Sequence, residues 1–124
     1  MSDRPPAGPH RGDAGEELAC AHLRARGLTV VARNFRCRSG EIDVVAEDGA
    51  TLVFVEVKER RGDAHGSAVE AVTAEKRRRI VRAARVYAAT HGLSDSPIRF
   101  DVLAIDWGAE GPRVRHDAGA FGEV

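Results

Sequence analysis

Residues 40–58 read GEIDVVAEDGATLVFVEVK, two apolar stretches joined by a short polar connection. Side chains alternate faces along a strand, so Phe54, Glu56 and Lys58 share one side of the second stretch and Val53, Val55 and Val57 the other. Asp48-Gly49 in the connection is a strong hairpin signal. A loop of two or four residues places Asp43 opposite Phe54, hence on the face that carries Glu56 and Lys58. A three-residue loop reverses that relation. Two carboxylates and an ammonium then converge on one spot. Alone, Asp43 and Glu56 would repel one another, a loss of stability with no structural gain.

Mg2+ and Mn2+ take oxygen ligands in octahedral geometry, usually one or two carboxylates with waters. Asp43 and Glu56 suit that task, and the backbone carbonyl of Val57 offers a third oxygen. Lys58 is placed to orient a water or to neutralise charge in a transition state. An isolated Glu-x-Lys is an ordinary edge-strand pattern; Asp43 at matching parity is what gives it weight. Glu41 shares the parity of Asp43, which leaves three roles open: a metal ligand, a partner behind the ligands, or a pairing partner for Lys58.

Outward from the hairpin, Asp13 followed by Glu16 reads as a capping box that opens a helix to about Arg26, ended by Gly27. Ala19, Cys20 and Leu23 form its apolar surface, and Glu16 points with them. A capping role at the positive helix end is the plainer explanation of Glu16. Residues 28–35 read as a strand. Ser67 is a plausible cap for a long second helix ending near Gly92, in which Lys76, Ile80, Ala83 and Tyr87 follow helical spacing. Residues 98–105 alternate as a fourth strand, and Val114 falls in a short fifth. The order is α-β-β-β-α-β with a small C-terminal addition.

The chain has 124 residues, enough for one domain with a core of its own. Residues 1–11, with Pro5, Pro6, Gly8 and Pro9, read as a disordered leader to a domain spanning 12–124. Lys plus Arg and Asp plus Glu are 19 each, so no net field draws the whole molecule to nucleic acid or to an anionic membrane. Cys20 and Cys37 lack zinc-site spacing, and two lone cysteines without an apolar signal segment point to a reducing cytoplasm. No apolar run approaches the length that spans a bilayer.

With these stretches in order, the chain resembles the YraN-like family of small bacterial proteins. That family resembles the PD-(D/E)xK nuclease superfamily and is similar to archaeal Holliday-junction resolvases. The matching stretches are Gly15-Glu16 through Leu23, Arg33-Asn34-Phe35-Arg36, Gly40-Glu41-Ile42-Asp43 and Phe54-Val55-Glu56-Val57-Lys58. Glu70-Ala71-Val72 with Lys76 and Ile80, Arg99-Phe100-Asp101-Val102, and His116 with Ala120-Phe121 complete them. The resemblance implies a restriction-endonuclease-like α/β fold, with an αβββαβ core and a mixed sheet flanked by helices. It also implies Mg2+ or Mn2+ on Asp43 and Glu56, and hydrolysis assisted by Lys58. Glu16 matches the first-helix acid of resolvase-like relatives, and Lys76 the polar second-helix residue that reaches the site. Ile42 stands where the superfamily has its naming proline, and His65 stands where relatives often carry an aromatic.

Arg33, Arg36 and Arg38 precede the hairpin, and Arg60 and Arg61 follow it. Arg36, Arg38 and Arg60 are the candidates for phosphate contact, which is sequence-independent and salt-sensitive. Arg82 and Arg85 read as a solvated helix face. The leading expectation is a metal-dependent nuclease acting on DNA phosphodiesters at branched or single-stranded structures. The alternatives are a nucleic-acid-binding module of the same fold without efficient cleavage, and a protein-interaction adaptor. A two-fold junction substrate would suit a homodimer by symmetry.

Overall fold

The computed structural model describes residues 11–62 and 66–122. The expected leader and His65 therefore fall outside the described residues, apart from Arg11. The elements are α1 (Arg11–Ala25), β1 (Thr29–Cys37), β2 (Gly40–Asp48), β3 (Thr51–Arg61), α2 (Ala68–Ala71), α3 (Ala74–Thr90), β4 (Ile98–Gly108) and β5 (Gly111–Phe121). The strands form one sheet in the order β1-β2-β3-β4-β5. Only the β3–β4 pairing is parallel, because the α2–α3 crossover separates those two strands while short turns join the others. This is the expected α/β fold, a mixed sheet flanked by helices.

Burial on both faces explains why β3 and β4 read as nearly continuous apolar runs. On one face, Ala19, Cys20 and Leu23 of α1 pack on Val44, Ala46, Val53, Val55, Leu103 and Ile105. On the other, Ile80, Ala83, Ala84 and Tyr87 of α3 pack on Ile42, Val45, Leu52, Phe54, Phe100 and Val102. Phe54 is fully buried, with Tyr87 edge-on at 5.9 Å and Phe100 stacked at 5.8 Å.

Several boundaries differ from the sequence reading. The α1 backbone is helical from Arg11, so Asp13 lies within the helix rather than at its cap. The second helix is two helices. Ser67 caps α2 and Thr73 caps α3, their hydroxyls accepting from the N–H groups of Glu70 (3.3 Å) and Lys76 (3.1 Å). A hydroxyl able to cap competes with helix continuation, which breaks the run at Val72-Thr73. Lys76 is thereby in the first turn of α3. The fifth strand runs eleven residues rather than a few. Its charged, poorly alternating sequence suits an exposed edge, which hid its length.

The hairpin turn is Gly49-Ala50, with Asp48 paired to Thr51. Only Gly49 has a positive φ, +60°, the sign pattern of a II′ turn. Continuing this register brings Asp43 across from Glu56 rather than from Phe54. The shift is by an even number, so the parity argument survives it.

Candidate functional site

The β2–β3 ladder ends at Val44↔Val55. Beyond it the strands part, and the Asp43 carboxylate bridges the gap by accepting the Val57 N–H at 2.8 Å. The parting coincides with an irregularity on β1. Asn34 has φ +54°, a left-handed conformation that asparagine tolerates better than most residues. Arg33↔Val44 and Phe35↔Ile42 bracket Asn34 and Asp43. Alternation is interrupted there, because Ile42 joins the α3-side core and Val44 the α1-side core.

Glu56 is 7% exposed and shares a hydrogen bond with Asp43. Burial, and then the adjacent Glu56 charge, push the Asp43 carboxyl up to about 8, against the opposing Val57 N–H. The charge of Glu16 adds to the rise. From the other helix, Lys76 Nζ lies 3.1 Å from Glu56 Oε2. Burial works against the Lys76 ammonium, but the charges of Glu56, Asp43 and Glu41 hold its pKa above the ordinary lysine value. Lys58 is half-buried and has no partner among the described residues.

Glu16 reaches this region without entering it. Its Oε1 accepts from Asn34 Nδ2 at 3.0 Å and from an Arg33 amino group at 3.4 Å. Asn34 therefore bends the strand and orients the first-helix acid. Sequence reading quoted Asn34 within a matching stretch but gave it no role; an asparagine between Arg33 and Phe35 in a strand was the available signal. The open question of Glu41 is resolved, since it is exposed and pairs with Arg36 at 3.1 Å, not with Lys58. The structure places Arg60 in contacts within the fold. Its guanidinium binds Asp106 Oδ1 at 2.9 Å and Oδ2 at 3.3 Å, and it donates to the Gly66 carbonyl. Arg36 and Arg38 are exposed.

Among the described residues, no three acidic, histidine or cysteine side chains cluster to hold a metal by themselves. Mg2+ and Mn2+ do not need such a cage. A residue's N–H and C=O project to the same side of an extended strand, so the Val57 carbonyl faces the gap that Asp43 bridges. Asp43, Glu56 and that carbonyl form an oxygen donor set that fits a hard divalent cation with water.

A second buried acid lies on the α1 side of the sheet. Asp101, fully buried, accepts from Arg99 Nε at 2.9 Å and from an Arg99 amino group at 3.0 Å. His116 Nε2 (2.8 Å) and the Gly119 N–H (3.0 Å) complete its set of donors. Burial alone would raise Asp101, but these donors and the Arg99 charge hold it below the usual carboxylate value.

The model of the "Uncharacterised protein family UPF0102" matches residues 15–105. The chain belongs to that family. The match takes in Glu16, Asp43, Glu56, Lys58 and Lys76. A UPF0102 protein of Symbiobacterium thermophilum is 52% identical over 100 residues, 81% of this chain and 85% of that protein. One from Frankia casuarinae is 49% identical over 111 residues, 89% of this chain and 94% of that protein. A third UPF0102 protein, from Geobacter sulfurreducens, is 47% identical over 111 residues, 89% of this chain and 87% of that protein. None of the described helices is long and apolar enough to cross a membrane.

Proposed function

We propose that this UPF0102 protein is a metal-dependent nuclease that hydrolyses DNA phosphodiester bonds. The observation that carries the reading is half-buried Asp43 sharing a hydrogen bond with buried Glu56, beside a Lys58 that has no partner among the described residues, where β2 and β3 part. Two carboxyls sharing a hydrogen bond in a half-dry gap are costly to the fold, and a divalent cation removes that cost. Asp43, Glu56 and the Val57 carbonyl would hold Mg2+ or Mn2+. When bound, the ion supplies Lewis-acid stabilisation of charge on a phosphoryl oxygen.

The remaining chemistry belongs to the side chains. Lys58 has no competing acceptor among the described residues, so its ammonium can donate to the attacking water or a non-bridging phosphate oxygen. Glu16, held by Asn34 and Arg33, adds negative charge behind Asp43 and strengthens the preference for a cation. Lys76 balances Glu56 and sits where a phosphate would replace that carboxylate as its partner. Arg36 and Arg38 approach flanking phosphates, consistent with contact to the backbone rather than to bases.

The test is cleavage of labelled single-stranded, duplex and junction DNA in Mg2+ or Mn2+, beside Asp43→Ala, Glu56→Ala and Lys58→Ala. Cleavage by the unaltered chain and its loss in all three variants is the expected result. Activity that survives the three substitutions would sink the assignment.

A further inference from the structure

A cavity of about 340 Å³ opens beside the carboxylate pair, between the β1–β2 turn and the start of α3. That volume lies within the roughly 300–1,000 Å³ typical of small-molecule sites. Its lining divides by chemistry. Half-buried Cys37 gives it an apolar wall, packed against the α3-side core in which Ile80 is only 2% exposed. Arg36, Arg79 and Lys76 line it as well, with Glu41 as the acidic member. Lys76 belongs to both places, since its Nζ is the group 3.1 Å from Glu56.

Among the described residues the arginines are held by exposed pairs, Arg36 with Glu41 at 3.1 Å and Arg79 with Glu75 at 3.0 Å. Such pairs contribute little and give way to a phosphate, which arginine binds through two parallel donors. A groove that only tracks a backbone needs positive charge and no recess. A recess with an apolar wall and a basic lining fits instead a base attached to a phosphate.

We infer that this cavity is a nucleotide subsite. It takes one unpaired nucleotide of the strand whose adjoining phosphate lies at Asp43 and Glu56. The base rests against Cys37, and the phosphate of that nucleotide against Arg36 and Arg79. This rests on the nuclease reading of the adjoining site and names its substrate class: nucleic acid with an unstacked nucleotide next to the reacting phosphate. A base inside a duplex is stacked and paired, and reaches a recess only after extrusion.

Cys37 is a built-in reporter, because Cys20 is fully buried and the chain has only these two cysteines. The full-length chain is kept in chelator, so that no cleavage occurs, and alkylated with iodoacetamide while mass spectrometry follows Cys37. The probes are oligothymidylate and a blunt duplex of equal length, with oligothymidylate binding measured by fluorescence anisotropy. At about ten times Kd the single strand should slow Cys37 alkylation about tenfold. The duplex should leave it at the free rate, and the Arg36→Ala/Arg79→Ala double variant should lose the protection. Absence of oligothymidylate binding, unchanged alkylation, equal protection by duplex, or protection that persists in the double variant overturns the inference. The two readings separate cleanly. Metal-dependent cleavage without Cys37 protection leaves the nuclease and removes the subsite; protection without cleavage in any metal does the reverse.

Discussion

Two acid centres lie in this sheet, fully buried Asp101 and half-buried Asp43 beside buried Glu56, and they are built on opposite terms. Asp101 is enclosed by donors: the Arg99 guanidinium, the His116 ring and the Gly119 N–H leave its carboxylate ionised and satisfied. Asp43 has one N–H donor, and its nearest charged neighbour is another carboxylate. Burial is the largest influence on both, yet Asp101 ends below its ordinary pKa and Asp43 rises to about 8. The difference teaches that burial does not decide the role of an acid; the donors around it do. A satisfied acid ties β4 to β5. The Asp43–Glu56 pair has fewer donors, and in the proposed reading a cation supplies what it lacks.

The largest effect that would break this contrast is on stability. Asp101→Ala leaves Arg99 and His116 without their buried partner, and should cost about 3–5 kcal/mol in urea denaturation. A loss below about 1 kcal/mol would mean that the network is not structural. Next in size, Asp43→Asn and Glu56→Gln should leave the fold intact by circular dichroism and lower cleavage about 10²–10³-fold, the range seen when one electrostatic contact to a transition state is removed. If the Asp101 variant, studied where it remains folded, lost cleavage equally, the division between the two centres would fail.

The pH dependence of metal-free stability sharpens the contrast further. A folded-state pKa of about 8 against an ordinary 3.8 means that folding favours protonated Asp43. Its contribution is fully present below about pH 4 and is lost as pH rises through 8. Asp101 runs the other way, its contribution present above the ordinary value of 3.8 and lost as pH falls through its lower folded pKa. Thermal unfolding in chelator should therefore show stability declining from mildly acidic to mildly alkaline pH. Asp43→Asn should flatten that decline, and Mg2+ should oppose it. An unchanged profile in Asp43→Asn would show that the decline belongs to other groups. The smallest effect is expected from Lys76→Ala. Its ammonium is about half exposed, so losing the 3.1 Å pair with Glu56 should cost at most about 1 kcal/mol. The stabilisation gained on adding Mg2+ should rise correspondingly in a thermal shift.

Much of the fold was legible because its strands are patterned by burial. The valines of residues 53–57, the Asp-Gly connection and the spacing of Ile80, Ala83 and Tyr87 each report a local constraint. What escaped were features in which two local preferences compete. Thr73 could continue a helix or cap one, and it caps. Asp48-Gly49 could form the centre of the turn, but Gly49-Ala50 does, moving the partner of Asp43 from Phe54 to Glu56. Arg60 was legible as a cation but not as a tie, because its acceptor Asp106 lies 46 residues away in sequence.

By itself the sequence determined the composition of the site and its parity. A carboxylate on β2 and a Glu-x-Lys on β3 fall together under any even register, because side chains alternate with a period of two. Tertiary structure alone decided how the site is finished. Only the packed molecule brings Lys76 of α3 to Glu56, sets Glu16 of α1 against Asn34, and parts the strands so that Asp43 must cap Val57. Those relations depend on distances between elements remote in the chain, and local pattern does not encode them. The same packing separates Asp43 from Asp101: one is half-buried beside another carboxylate, and the other is fully buried with its donors within reach.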